Sequence, residues 1–208
     1  MTNANIIYVH GLNTANPFYH KKWSKNIPES SILKQRIVKW DSWSWEKDLF
    51  RIYMSKVYRD KQIQKVIDKI TECKDEPTLI IPHSWGTVWA YKAWNRMNKA
   101  GLLKNQNIWV VMVGAALGGT NLPFGGVYIK KIQEQYRIDK TPPQIQKLFN
   151  IYNDDDYVSS RIYMDRMENL KIDVGGFHPG MQEHDATIYF KTMEFRYIMQ
   201  SFMKTFNL

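Results

Sequence analysis

Residues 78–87 read TLIIPHSWGT, a short apolar run that leads through His-Ser-Trp-Gly into a helix-compatible segment. A serine on a sharp turn between a strand and a helix projects its hydroxyl away from the sheet. The start of the helix then offers backbone N–H groups and a positive dipole end to developing negative charge. Gly86 fits this turn because the two backbones pass close together there. The pattern predicts a nucleophile elbow with Ser84 at its tip.

The elbow pattern departs from its usual form at Pro82, where a glycine is usual. Proline cannot donate a hydrogen bond to a neighbouring strand, although the last position of a strand tolerates it. The alternative interpretation is a buried serine in an ordinary strand-to-helix loop, because short motifs also arise by chance.

Strands and helices alternate along the rest of the chain. Apolar runs predict strands at 5–10, 36–40, 107–113, 148–152 and 170–174, and helices are predicted at 46–73, 88–99 and 185–206. This alternation predicts an α/β fold with a mainly parallel central sheet and helices on both faces. We expect a single domain over residues 1–208, in which the Gly- and Pro-containing segment 121–147 forms a cap or lid insertion.

Polar residues follow the predicted strands where those strands end. His10 and Gly11 follow the first strand, Ser84 follows the elbow strand, and the aspartates 154–156 follow a later one. His178 and His184 come after the last strand. Ligands of parallel sheets bind at the carboxyl ends of the strands, so these residues are candidates for one site. The order along the chain is Ser, Asp, His.

With these motifs the chain resembles a small α/β-hydrolase of the lipase/esterase type over nearly its whole length. The matching segments are 7–12 (oxyanion strand and turn), 82–87 (elbow), 114–120 (glycine-rich turn), 153–158 (acid turn) and 183–185 (histidine loop). The departures are Pro82 and the absence of an extended glycine run after His10.

The resemblance implies a serine hydrolase that cleaves a carboxylic ester or thioester without a cofactor. Ser84 would attack the acyl carbonyl, a histidine would take and return its proton, and an aspartate would orient that histidine. The backbone N–H groups of Leu12 and Trp85 would form the oxyanion hole.

The histidine and the aspartate each have two candidates. In the family that the chain resembles, the base commonly lies a few residues ahead of an apolar helical face, so the resemblance implies His184, with His178 as the alternative. The acid of that family is usually followed after one residue by an aliphatic, as Asp156 is by Val158, so the resemblance implies Asp156, with Asp154 as the alternative. Adjacent carboxylates can also bind a metal, but these lack the spacing or companion ligands of a metal site, and we predict none.

The substrate pocket is predicted around His10 and Gly11, with Trp43 and Trp45 on one side and Phe124 on the other. The Trp-rich loop follows the second strand, so it belongs to the end of the sheet that carries Ser84. It either forms an apolar wall or lipid-facing rim, or packs against the helix that follows it.

The composition of the chain limits which kinds of partner and compartment are expected. The 208 residues carry a formal net charge of +9 and a single cysteine, Cys73, so no internal disulfide can form. A basic protein is attracted to anionic surfaces, but no nucleic-acid fold signature accompanies the charge. No signal peptide or membrane-spanning run is visible, which predicts a cytoplasmic protein. The resemblance implies that it acts on a small-molecule or lipid-like ester. The alternatives are a non-catalytic binding protein of the same fold, or one that binds anionic lipid or nucleic acid through its basic surface. The sequence does not indicate the oligomeric state.

Overall fold

A parallel sheet forms the centre of the molecule in the computed structural model, which describes residues 3–12, 23–25, 27, 32–39, 45–73, 75–103, 107–118, 141–156, 158–173 and 185–208. Its strands are β1 (Ala4–Val9), β2 (Leu33–Val38), β3 (Thr78–Pro82), β4 (Ile108–Val113), β5 (Ile145–Tyr152) and β6 (Met167–Lys171). The helices are α1 (Trp45–Met54), α2 (Lys56–Thr71), α3 (Gly86–Lys99), α4 (Ala186–Phe190) and α5 (Met193–Thr205).

The strands of the described residues lie in the order β2-β1-β3-β4-β5-β6, and each neighbouring pair is parallel. All of their carboxyl ends therefore lie at one edge, the edge that carries Ser84. The prediction of an α/β fold with a parallel central sheet is confirmed.

Both faces of the sheet are covered, because successive side chains of a strand point to opposite faces. On β1, Ile7 and Val9 join a buried cluster that includes residues of α1, α2 and α3. Ile6 and Tyr8 join a second buried cluster with residues of α4 and α5. Strands buried on both faces read as continuous apolar runs, as seen in β1, β3 and β4.

Two predicted helices are each divided in the structure. The helix predicted at 46–73 is broken at Ser55, whose side chain accepts a hydrogen bond from the N–H of Tyr58 and so caps α2. The helix predicted at 185–206 is broken before Thr192, which caps α5 by accepting from the N–H of Phe195. Both predictions were wrong at these positions because a side-chain cap can start a new helix within a continuous apolar pattern.

Several boundaries also differ from the prediction. β2 covers Leu33–Val38 and β6 covers Met167–Lys171, so both begin earlier in the chain than predicted. β5 begins at Ile145, inside the segment predicted to form a cap. Residues 121–140 of that segment lie outside the described residues, so the cap and the single-domain organisation stay predictions. Among the described residues, no helix combines the length and the apolar character needed to cross a membrane.

Candidate active site

Ser84 occupies a sharp turn between β3, which ends at Pro82, and α3, which begins at Gly86. Its φ is 54°, in the left-handed region that residues other than glycine seldom adopt. Such strained backbone persists only where the surroundings enforce it, and it concentrates at functional sites. The positive end of the α3 dipole lies at this turn.

Hydrogen bonds to two other segments hold the turn in place. The Ser84 N–H donates to the carbonyl of Val113 at 3.2 Å, which ties the serine to β4. The Ser84 carbonyl accepts from the hydroxyl of Thr87 at 2.6 Å and from the N–H of Ala116 at 3.4 Å. Both backbone groups of the serine are therefore bonded, which fixes the direction of its side chain.

Pro82 is accommodated at the end of β3. It pairs in register with Val9 of β1, whereas the register of β3 with β4 runs only as far as Ile80 and Val110. The next residue, His83, restores the contact with both neighbours: its N–H donates to the Val9 carbonyl at 3.0 Å, and it bridges Val113. The missing proline N–H falls at a gap in the ladder, so the turn forms without a glycine at this position.

Two glycines bring β1 and its following loop against the turn. A Cβ added to Gly86 would lie 2.2 Å from the carbonyl oxygen of Val9 and 2.7 Å from that of His10. A Cβ added to Gly11 would lie 2.6 Å from the Ser84 Cβ and 3.0 Å from its Oγ. The loop after β1 therefore lies directly against the Ser84 side chain, and only glycine fits at either position.

The histidines on both sides of this contact are packed by aromatic rings. His10 is fully buried and stacks on Trp23, with ring centroids 3.8 Å apart and an angle of 12° between the planes. Trp23 also meets His83 edge-on at 5.5 Å. These contacts hold the loop after β1 and the residue before Ser84 against each other.

Asp156, the preferred acid, is buried after the end of β5, and three donors surround its carboxylate. Its Oδ1 accepts from the N–H of Val158 at 2.9 Å and of Ser159 at 3.3 Å. Its Oδ2 accepts from the hydroxyl of Tyr189 at 2.5 Å. A buried carboxylate held in one orientation by neutral donors can orient a histidine and stabilise its charged form.

Asp154, the alternative acid, has different surroundings. Its carboxylate forms an ion pair with Lys171 at 2.6 Å, and both side chains are exposed by more than half, 58% for Lys171 and 60% for Asp154. The hydrogen bond from Lys171 to Asp154 raises the pKa of the lysine. Asp154 thus takes part in a surface pair beside β6, whereas Asp156 faces the interior.

Several predicted site residues cannot be placed. His178, His184, Trp43 and Phe124 lie outside the described residues. Trp45 is the first residue of α1, and its side chain is likewise undescribed.

The two predicted oxyanion donors both lie in the described part of the chain. Trp85 is buried directly before α3, and Leu12 packs against the core cluster on the same face.

Two residues of the site were missed by the sequence analysis. Tyr189 belongs to the apolar helical face that follows His184 and was given no role in the site, yet its hydroxyl binds Asp156. A tyrosine on such a face does carry a signal, because its hydroxyl needs a polar partner once it is buried. Trp23, which stacks on His10, lies in a segment with no periodic pattern that could have identified it.

No group of three or more His, Cys, Asp or Glu residues is arranged to hold a metal ion within the part of the chain that the structure describes. At the carboxyl edge of the sheet, the described residues include a strained serine at a helix start, a loop against its side chain, and a buried, oriented carboxylate after β5. With a histidine between the serine and the carboxylate, such a set can carry out acyl transfer.

The chain shows distant similarity to solved hydrolase structures. No protein-family model and no curated protein matches it. It is similar to the phospholipase PlaB of Legionella pneumophila, with 16% identity and a TM-score of 0.43 over 73% of this chain. The chain spans only 37% of the length of that phospholipase.

Two further similarities cover almost the whole chain. The RedJ thioesterase of the prodiginine pathway in Streptomyces coelicolor has 9% identity and a TM-score of 0.48 over 98% of this chain and 89% of its own. A Staphylococcus aureus protein of unknown function has 11% identity and a TM-score of 0.45 over 100% of this chain and 90% of its own. At these identities and TM-scores, the chemistry of the chain has to be read from its own residues.

Proposed function

We propose that the protein is a serine hydrolase that cleaves a carboxylic ester or thioester through an acyl-enzyme intermediate. The observation that carries this proposal is the turn at Ser84, with its φ of 54° and the Gly11 loop against its side chain. An ordinary buried serine in a strand-to-helix loop has no need of strained backbone or of a second loop in contact with its hydroxyl.

The proposed reaction has two halves. The Ser84 Oγ attacks the acyl carbon, and its proton passes to the imidazole of His184. The N–H groups of Leu12 and Trp85 bind the oxyanion, and the alcohol or thiol leaves with the proton from His184. Water then attacks the acyl-enzyme with His184 again as the base, which releases the acid and restores the serine.

Continuity of the chain favours His184 over His178 as the base. The residue after His184 is Asp185, which caps α4 by accepting from the N–H of Thr187. In the same short helix, Tyr189 donates its hydroxyl hydrogen bond to Asp156. His184 is therefore joined directly to the helix that binds the proposed acid, whereas His178 lies further back along the chain.

Burial and hydrogen bonding favour Asp156 over Asp154 as the acid. Asp156 is 4% exposed and its carboxylate accepts from three neutral donors. A fixed carboxylate of this kind can hold an imidazole in one tautomer, whereas Asp154 already pairs with Lys171 at the surface.

The decisive experiment is labelling with a fluorophosphonate probe, which reacts only with an activated serine hydroxyl. We expect stoichiometric labelling of the wild-type protein, and loss of both labelling and p-nitrophenyl ester hydrolysis in Ser84→Ala. Ser201→Ala in α5 is the matched control and should keep both properties. Thermal melts of both variants establish that the fold is retained.

The same experiment separates the proposal from a non-catalytic binding protein. Absence of labelling in the folded wild-type protein would favour the binding protein. Labelling that persists in Ser84→Ala would show that another residue is the nucleophile. His184→Ala and His178→Ala then identify the base, since only the variant that lacks the base should lose hydrolysis.

A further inference from the structure

A patch of exposed apolar side chains interrupts the basic surface at α1 and the start of α2. Phe50 is 66% exposed, Met54 is 71% exposed and Val57 is 79% exposed. Large apolar side chains scattered singly are ordinary on a protein surface. Here three of them lie within eight positions of two successive helices, and exposed apolar side chains that cluster in this way often mark an interaction site.

Basic residues outnumber acidic ones around this patch. Among the side chains that the structure describes in residues 47–61, the exposed ones are the three apolar residues and four basic ones, Lys47, Arg51, Lys56 and Lys61. The two acidic residues of this range have partners within the protein. Asp48 is buried and accepts from the hydroxyl of Tyr58 at 3.1 Å, and Asp60 pairs with Arg96.

We infer that α1 and the first turns of α2 dock on an anionic phospholipid surface. Helices that lie in a membrane interface combine an apolar strip with flanking lysine and arginine residues, as this patch does. The apolar side chains enter the acyl boundary while the cations meet the headgroup phosphates. Nucleic acid would satisfy the cations but would leave Phe50, Met54 and Val57 without apolar contacts.

The position of the patch in the fold is the one expected of a surface that brings the candidate active site to lipid. β2 ends at Val38, at the edge of the sheet that carries Ser84, and α1 follows in the chain at Trp45. The chain therefore enters the patch from the edge that carries the candidate active site. None of the three apolar and four basic side chains of the patch belongs to the proposed catalytic set, so membrane binding does not depend on the proposed hydrolysis.

The test is co-sedimentation of the full chain with vesicles of phosphatidylcholine alone and of phosphatidylcholine mixed with phosphatidylglycerol. We expect binding to the anionic vesicles and little binding to the neutral ones. The triple variant Phe50→Gln/Met54→Gln/Val57→Gln should lose binding by about tenfold or more, because it removes the inserted apolar side chains while keeping good helix formers.

A variant with the four basic residues changed to glutamine tests the electrostatic part. Each cation near an anionic membrane contributes about fivefold to binding, so this variant should lose the preference for phosphatidylglycerol and the sensitivity to salt. The matched control is Met193→Gln/Tyr197→Gln on α5, whose side chains are 79% and 65% exposed. It should bind as the wild type does, and so should Ser84→Ala.

Four outcomes would overturn the inference. They are a wild-type protein that ignores anionic vesicles, a triple apolar variant that binds as the wild type does, and a control on α5 that loses as much as the triple variant. The fourth is a wild-type dimer that the triple variant converts to monomer while vesicle binding is unchanged, which would make the patch a contact between copies of the chain. Melting curves for every variant separate loss of binding from loss of fold.

Discussion

At Gly86 the backbones of α3 and β1 approach so closely that no side chain fits between them. We predict that Gly86→Ala lowers the free energy of unfolding by about 3 kcal/mol, because its Cβ would force backbone atoms apart. The added atom would lie 2.2 Å from the Val9 carbonyl oxygen, and a backbone oxygen cannot rotate away as a flexible side chain can. Urea denaturation measures the change.

Gly101→Ala is the control for the loss of glycine itself. Gly101 has a φ of 67° after the end of α3, so an alanine there is strained by its backbone conformation. That strain should cost about 1 kcal/mol. If Gly86→Ala costs no more than Gly101→Ala, the close approach of helix and strand is not what fixes the turn.

Tyr189 is predicted to act as a positioning residue through Asp156. Tyr189→Phe removes a hydrogen-bond donor to a buried carboxylate, which should lower the free energy of unfolding by about 2 kcal/mol. If Asp156 orients the base, kcat should also fall, by about tenfold, with KM little changed. Steady-state kinetics on a p-nitrophenyl ester and urea denaturation give the two readouts.

The control for this substitution is Tyr163→Phe, because the Tyr163 side chain is 78% exposed. It should change neither quantity. A Tyr189→Phe variant that loses stability but keeps its kcat would leave Asp156 a purely structural carboxylate, and Asp154 would then have to be tested as the acid.

Among the elements, helix α3 carries an unusual buried cation. Lys92 is 7% exposed and lies 5.9 Å from the ring of Trp89. Burial, together with the nearby cations Arg59 and Arg96, lowers the pKa of Lys92 from 10.5 to about 8, despite the opposing effect of Asp60. Below its folded-state pKa the lysine is charged, and this buried charge lowers the stability of the folded protein.

We predict that Lys92→Met raises the free energy of unfolding at pH 7 by about 1–2 kcal/mol, a value reduced for partial solvent screening. Because the pKa is lower in the folded protein, the unfolded chain binds more protons between pH 8 and 10.5. The stability of the wild type should therefore rise across this window, and the advantage of the variant should vanish by its upper end.

Urea denaturation of both proteins at several pH values tests this prediction. Lys99→Met, at the exposed end of the same helix, should show no such pH dependence. A stability difference between Lys92→Met and the wild type that stays constant through the window would mean that the lysine is held by its contacts and not penalised for its charge.

The elements also show what a sequence pattern can and cannot reveal. β3, β4 and the elbow were predictable because uninterrupted apolar runs and a serine-glycine turn depend on local sequence. The break at Ser55 was not, because serine is an ordinary residue within a helix and becomes a cap only when its hydroxyl accepts from the N–H of Tyr58. The sequence pattern predicted helix on both sides of Ser55 but not that the helix is interrupted there.

For the whole molecule, the parallel sheet brings together residues that the sequence could only place in order. The alternation of strands and helices predicted that Ser84 and the aspartates would share an edge, and the sheet places them there. The distinction between Asp154 and Asp156 lies beyond any spacing rule, because it depends on which side chain turns toward Tyr189 and which toward Lys171. These are contacts between segments that are distant in the chain.

The charge of the whole molecule is likewise organised by the fold. Near the opposite edge of the sheet, basic residues of β2 are matched by acidic ones: Lys34 pairs with Glu76, and Arg36 pairs with Glu72. Exposed pairs of this kind contribute little to stability. Their effect is to neutralise the basic side chains of that region.

The bond from Ser84 to Val113, and the one from Ala116 to Ser84, make the end of β4 a support for the serine. The segment after β4 can therefore alter reactivity without touching a substrate, since a shift there is passed through two backbone bonds to the hydroxyl.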